Sequence, residues 1–249
     1  IEVARDLASR MTSLTSPTLS TSNIVSTVNA YISNPIPYVP IGLWDTSAVT
    51  DMRNLFYNKN LNDSIVLWDT SSVTDMVSTF RNSSYNKPLG LWDTSSVTTM
   101  DYTFRRSSFN KDISYWDVSS VTSMGGTFME STAFNQDLSS WDVSSVRIMD
   151  LMFGQTTVFN SPLDWGSTTA SVISFNGMFW DARAFNQPIS TWNIESVTNT
   201  MSMFRVTNAS VQSSFNQDIS NWNLTGVSTN SMFSNNTVME DSNKPTGLS

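Results

Sequence analysis

FNKDISYWDVSSVTSMGGTFMES, residues 109–131, decides the reading of the chain, because the sequence says it again and again. Trp44, Trp68, Trp92, Trp116, Trp141, Trp165, Trp192 and Trp222 recur at intervals of 24, 24, 24, 25, 24, 27 and 30 residues. Trp180 alone lies outside this register. With the tryptophan as position zero, Asp or Asn usually follows at +1, Val near +5, Met near +8 and Phe near +12. An aromatic–Asn pair comes next, as in Phe109-Asn110 and Phe134-Asn135, and Ile or Leu closes the unit, usually three residues before the next tryptophan. A fixed period of this length marks a repeat architecture whose units stack and bury one another's faces.

Two periodicities coexist in each unit. Ile113, Trp116 and Val118 follow an L-x-x-L-x-L spacing whose last part alternates in and out, which predicts a short half-buried strand. Val121, Met124 and Phe128 fall at i, i+3 and i+7, the spacing of one helical face, with a Ser pair ahead of them to cap it. The expected fold is therefore an α/β solenoid of the leucine-rich-repeat type. It would have short parallel strands, short helices and about eight coils of 24–30 residues. A single unit cannot bury enough apolar surface to offset the entropy of ordering it, so the coils must stack.

Residues 1–43 read as an N-terminal helical cap with a degenerate first repeat, 44–234 as the solenoid and 235–249 as a C-terminal tail. Within the first part, residues 1–14 are expected as a capping helix and 22–33 as the first repeat's helix, with Val25, Val28 and Ile32 on its inner face. NPIPYVP, residues 34–40, stands in for a return loop. Regularity decays late: two extra residues follow Trp165, the loop RVTNASVQSSF is long, and Met201 sits one place late. The tail after Phe233 shows no cap, so a longer array or an assembly contact at that end is expected. Starting at Ile1, the sequence reads as a mature or trimmed form, which would have shed any signal peptide or lipid anchor.

Composition excludes several chemistries. With no Cys and no His, disulfides, thiolate nucleophiles, Cys or His metal sites and imidazole catalysis are out. A formal net charge of -8 without any basic run argues against nucleic acid as a partner. No apolar run reaches the roughly 18 to 20 residues that span a bilayer, so no transmembrane segment is expected. A weakly charged exterior rich in Ser, Thr and Asn suits an extracellular or cell-surface setting. Five N-x-Ser/Thr sequons, at Asn62, Asn82, Asn208, Asn223 and Asn235, permit glycosylation without arguing for it.

Three columns of the repeat invite a functional reading. Asp45, Asp69, Asp93, Asp117 and Asp142 should point outward, about 5 Å apart, where like charges repel. Bound calcium would relieve them. The favoured reading is that each caps the following Ser-containing turn through backbone amides, since no calcium-loop motif is present. The Asn after each aromatic reads as a ladder that satisfies the loop backbones. Leu43, Leu67, Leu91 and Tyr115 precede successive tryptophans, whereas Ser140, Asp164, Thr191 and Asn221 occupy that slot later. If outward, they form an apolar stripe that suits a partner. If instead they lean in beside the tryptophan, Thr46, Thr70 and Thr94 replace the inward Val of later coils. Both readings stand at this point.

The phrases WDTSSVTDM (68–76), FNKDISYWDVSSVTSM (109–124) and FNQDISNW (215–222) resemble the BspA-like surface repeats of mycoplasma lipoproteins, Gram-positive surface proteins and some protists and algae. The resemblance runs from Leu43 to about Phe233. It implies a leucine-rich-repeat-like fold, a surface or secreted setting and a role in adhesion, with no catalytic residues to carry over. Trp165-Gly166, Trp192-Asn193 and Trp222-Asn223 depart from the Trp-Asp pattern. The expected function is a non-catalytic interaction or adhesion module for a protein or glycan, with no cofactor and no bound metal. A structural subunit of a larger assembly is the alternative. A two-carboxylate hydrolase is disfavoured, because it needs two differently tuned acids in one pocket.

Overall fold

The computed structural model describes residues 19–34 and 39–248. The proposed capping helix at 1–14 lies outside the described residues, as does most of the Pro-rich stretch. Helix α1, Ile24–Ser33, packs at the start of the repeats. It buries Ile24, Val28 and Tyr31, and Val25 faces solvent. The inner face is thus rotated from the expected Val25–Val28–Ile32, and Tyr31 closes edge-on against Trp44 at 5.4 Å.

Beyond α1 the chain stacks unit on unit in parallel register. Bridges run Asp51 to Asp75, then Thr99, Ser123, Ile148, Ser174, Asn199 and Ser228, one step per repeat. The backbone between these residues differs from the expected plan. Apart from α1 in the first repeat, no helix forms over Val121–Phe128 or its counterparts among the described residues, and the parallel pairing lies there rather than at Ile113–Val118. Residues 76–83 show why. Thr79, Arg81 and Ser83 donate their N–H groups three residues back, to the carbonyls of Met76, Ser78 and Phe80. The alternate N–H groups of Met76, Ser78, Phe80 and Asn82 reach across to Thr99, Asp101, Thr103 and Arg105 of the next unit at 2.8–3.2 Å.

This run of tight turns is closed locally on every second residue and cross-linked on the others, so each amide has a partner. It requires a left-handed residue at every fourth position, as at Asn54, Asn58, Ser78, Asn82, Gly126 and Gly177. Such residues cannot sit in an α-helix. The i, i+3, i+7 spacing survives as a burial pattern only: Val121, Met124 and Phe128 are all fully enclosed.

The core consists of side-chain columns running along the stack. Trp44, Trp68, Trp92 and Trp116 lie face to face at 6.3–6.4 Å. Phe56, Phe80, Phe104, Phe128, Phe153, Phe179, Phe204 and Phe233 form a second column at 5.1–5.7 Å. Each such offset pair adds roughly 0.5–1.5 kcal/mol beyond the area it buries. The indoles also tie the units together. Trp92, Trp116, Trp141 and Trp165 donate Nε1–H to the carbonyl three residues before the preceding tryptophan, and Trp192 to Leu163, two residues before Trp165, all at 2.9–3.0 Å.

Irregular units keep the register by local adjustment. The extra residues after Trp165 wind into a 3-10 turn, Gly166–Ser171, begun by a left-handed Gly166. In the next unit Thr200, not Met201, fills the buried slot eight residues after Trp192. The tail does not leave the core open, as the sequence suggested. Leu224 N–H donates to Thr246, Ile219 N–H to Asn243, and Asn223 pairs in parallel with Thr246. Residues 235–246 are therefore a short further coil that brings the buried Pro245 to the register position of the tryptophans.

Candidate functional site

Trp44 is extended, and burial alternates residue by residue around it. Trp44 and Thr46 point in, and Leu43 and Asp45 point out. The same holds at residues 67–70 and 91–94. Thr46, Thr70 and Thr94 do replace the inward Val of later coils, and each donates its Oγ1–H to the carbonyl of the next unit's Asp at 2.8–2.9 Å. The leucines do not lean in beside the indole. Leu43, Leu67, Leu91 and Tyr115 are 63%, 67%, 72% and 81% exposed. One face of the first four units thus carries an apolar stripe.

The aspartates run parallel to that stripe, two residues further along each coil. Asp45, Asp69, Asp93 and Asp117 each accept the backbone N–H and the hydroxyl of the Ser two residues on, at 2.9–3.1 Å and 2.6–2.7 Å. Asp142 accepts only the Ser144 N–H, at 3.0 Å. This is the turn-capping geometry, and Asn193 and Asn223 reproduce it with an amide oxygen. The hydroxyl and then the amide of the capped Ser hold the Asp45, Asp93 and Asp117 carboxyls below the usual aspartate value. No group of three or more acids gathers into a metal-holding cluster among the described residues.

A shallow groove of about 240 Å³ at one end of the stripe is lined by Pro40, Gly42, Leu43, Ser64, Val66 and Leu67. Another, of about 490 Å³, lies at Tyr115 between Asp112 and Asp137. Both of those carboxylates are exposed and take up the N–H groups of their own turns, Ser114 and Ser139, at 2.9 Å. Neither carboxylate is enclosed by the walls of the groove.

The Asn ladder is present. Asn135, Asn160, Asn186 and Asn216 each donate their backbone N–H to the side-chain oxygen of the preceding unit's Asn at 2.8–3.0 Å. It ties coil to coil, and a shallow groove of about 320 Å³ at its early end is lined by Asn60, Leu61, Asn62, Ser84, Asn86 and Lys87.

Sequence reasoning missed a basic and aromatic group on the turn face. The Arg81 guanidinium lies 5.4 Å from the Tyr57 ring and 5.9 Å from that of Tyr102, and Arg105 and Arg106 both bind Glu130. Burial pushes the Glu130 carboxyl up, but the two guanidinium bonds outweigh it and hold the group low. The signal was available in the column Tyr57, Arg81, Arg105, since residues at one register position meet across coils.

No described helix is long and apolar enough to cross a membrane. No curated protein and no solved structure matches the chain. A family model does match, three times in tandem, over residues 28–108, 81–168 and 165–245. These matches take in the whole register of tryptophans, and the chain belongs to the repeat family described as Mycoplasma protein of unknown function, DUF285.

Proposed function

We propose that this chain is a non-catalytic solenoid interaction module, displayed at a cell surface or secreted, that holds a protein or glycan on its tryptophan-flanking face. The solenoid is of the leucine-rich-repeat-like kind, with tight turns in place of helices. The stripe of Leu43, Leu67, Leu91 and Tyr115 carries the reading. Three leucines and a tyrosine stand exposed in a row on a rigid surface, although the slot tolerates Ser140, Asp164, Thr191 and Asn221 elsewhere. The fold therefore has no need of apolar residues there, and contiguous exposed apolar surface marks interaction sites. The likeness of the repeat phrase to BspA-like surface repeats supports the surface setting and an adhesive role.

The test is surface plasmon resonance of the immobilised chain against a panel of defined extracellular proteins and glycans, with L67S/L91S alongside. Specific binding that the double variant loses, with its melting temperature unchanged, supports the reading. Binding that survives the double variant, or none across the panel, counts against it.

A further inference from the structure

We infer that the stripe receives a cationic amphipathic segment of a partner protein, laid along the stack with apolar side chains on Leu43, Leu67, Leu91 and Tyr115 and Lys or Arg side chains over the neighbouring aspartates. The inference rests on the interaction-module reading above and adds the chemistry of the partner.

Charge selects the sign. The flank two residues after the stripe is acidic in four consecutive units, and the segments DTSAVT, DTSSVT, DTSSVT and DVSSVT that form it contain no basic residue. The opposite flank is mixed, with Asp63 and Asp112 but also Lys87 and Lys111. A partner with positive charge on one side of an apolar ridge fits this asymmetry, and one with negative charge meets a row of carboxylates. Those carboxylates are already pinned by Ser hydroxyls and amides at 2.6–3.1 Å, so they are preorganised.

Spacing sets the length. The indoles beside the stripe repeat at 6.3–6.4 Å, so the three steps from Leu43 to Tyr115 span about 19 Å. A segment that returns an apolar side chain to one face about every 6–7 Å keeps step with all four residues.

Three synthetic amphipathic peptides of equal length decide the matter, measured by fluorescence anisotropy against the chain, L67S/L91S and D69N/D93N. One carries a Leu stripe with Lys beside it, the second the same stripe with Glu, and the third Ser in place of the stripe with Lys retained. The Leu/Lys peptide is expected to bind at least tenfold more tightly than either other. L67S/L91S should weaken it tenfold or more, and D69N/D93N about three- to tenfold. Equal binding of the Leu/Glu peptide, or of the Ser/Lys peptide, overturns the inference. If a panel ligand is lost with L67S/L91S yet ignores D69N/D93N and is not displaced by the Leu/Lys peptide, the interaction-module reading stands and this inference falls. If L67S/L91S affects no ligand, both fall.

Discussion

Trp116→Phe and Trp180→Phe make the same chemical change in two places that the structure treats differently. Trp116 is 3% exposed, lies parallel to Trp92 at 6.3 Å, meets Phe104 at 5.9 Å and donates its indole N–H to Leu89 at 3.0 Å. Trimming indole to phenyl removes roughly 40–50 Å² of buried apolar surface, worth about 1 kcal/mol. The void left behind, about 40 Å³, costs about 1 kcal/mol more. Loss of the indole hydrogen bond adds about 1 kcal/mol. The Leu89 carbonyl keeps the Trp92 N–H at 3.0 Å and is not orphaned, so nothing further is lost there.

W116F should therefore destabilise by about 3 kcal/mol, a fall of roughly 6–12 °C in melting temperature for a chain of this size. Trp180 is only partly buried and donates to the Thr207 hydroxyl at 2.8 Å on the surface, so W180F should cost less than about 1 kcal/mol. Thermal and urea melts followed by circular dichroism measure both. Equal losses, or W180F the more damaging, would refute the assignment of the tryptophan register to the core.

Gly126→Ala should destabilise by about 1–3 kcal/mol, because φ is +59° there and a Cβ would come 2.5 Å from the Tyr102 ring; urea titration reads it. Asn110→Ala removes the acceptor for Asn135 N–H at 3.0 Å and Gln136 Nε2–H at 2.7 Å, and should cost about 1–2 kcal/mol in the same assay. Stability should fall on acidification. Asp45, Asp93, Asp117, Asp112 and Asp218 are held below their ordinary value of 3.8, so their contribution is complete above that pH and drains away as pH drops through the lower folded values. With no histidine in the chain, melting temperature should be flat from pH 6 to 8 and decline below about pH 4.

Most of the buried pattern was legible in the sequence, because burial in a repeat is set by side-chain type at a fixed offset. The Trp, Val, Met and Phe columns and the Asn ladder all follow from aligning the units. So does the turn role of the aspartates, since Asp two residues before Ser is local chemistry. The backbone path was not legible from the same alignment. Positions i, i+3 and i+7 can share a face on a helix or on a run of tight turns, and periodicity alone does not separate them. Asn54, Asn58, Asn82, Gly126 and Gly177 at the left-handed positions were the available signal, together with a β-branched, Ser-rich segment such as SVTDMVSTF that favours helix poorly. The alternation at 43–46 was real, but its inter-coil ties come from indole and threonine side chains, so it forms no ladder. The tail escaped notice because Pro245 stands where a tryptophan was sought.

Everything rests on the units being stacked one step at a time along a line, and distances between spin labels measure this directly. The chain has no cysteine, so pairs introduced at Leu43 with Ser140, Thr191 or Asn221 label cleanly, and all four sites are exposed. Steps of about 4.8 Å at the paired backbones and 6.3–6.4 Å at the indoles place sites four, six and seven units apart at roughly 19–26, 29–38 and 34–45 Å, rising with the number of repeats between them. Distances that plateau, scatter or fall as repeats are added would mean the tryptophans do not share one stack.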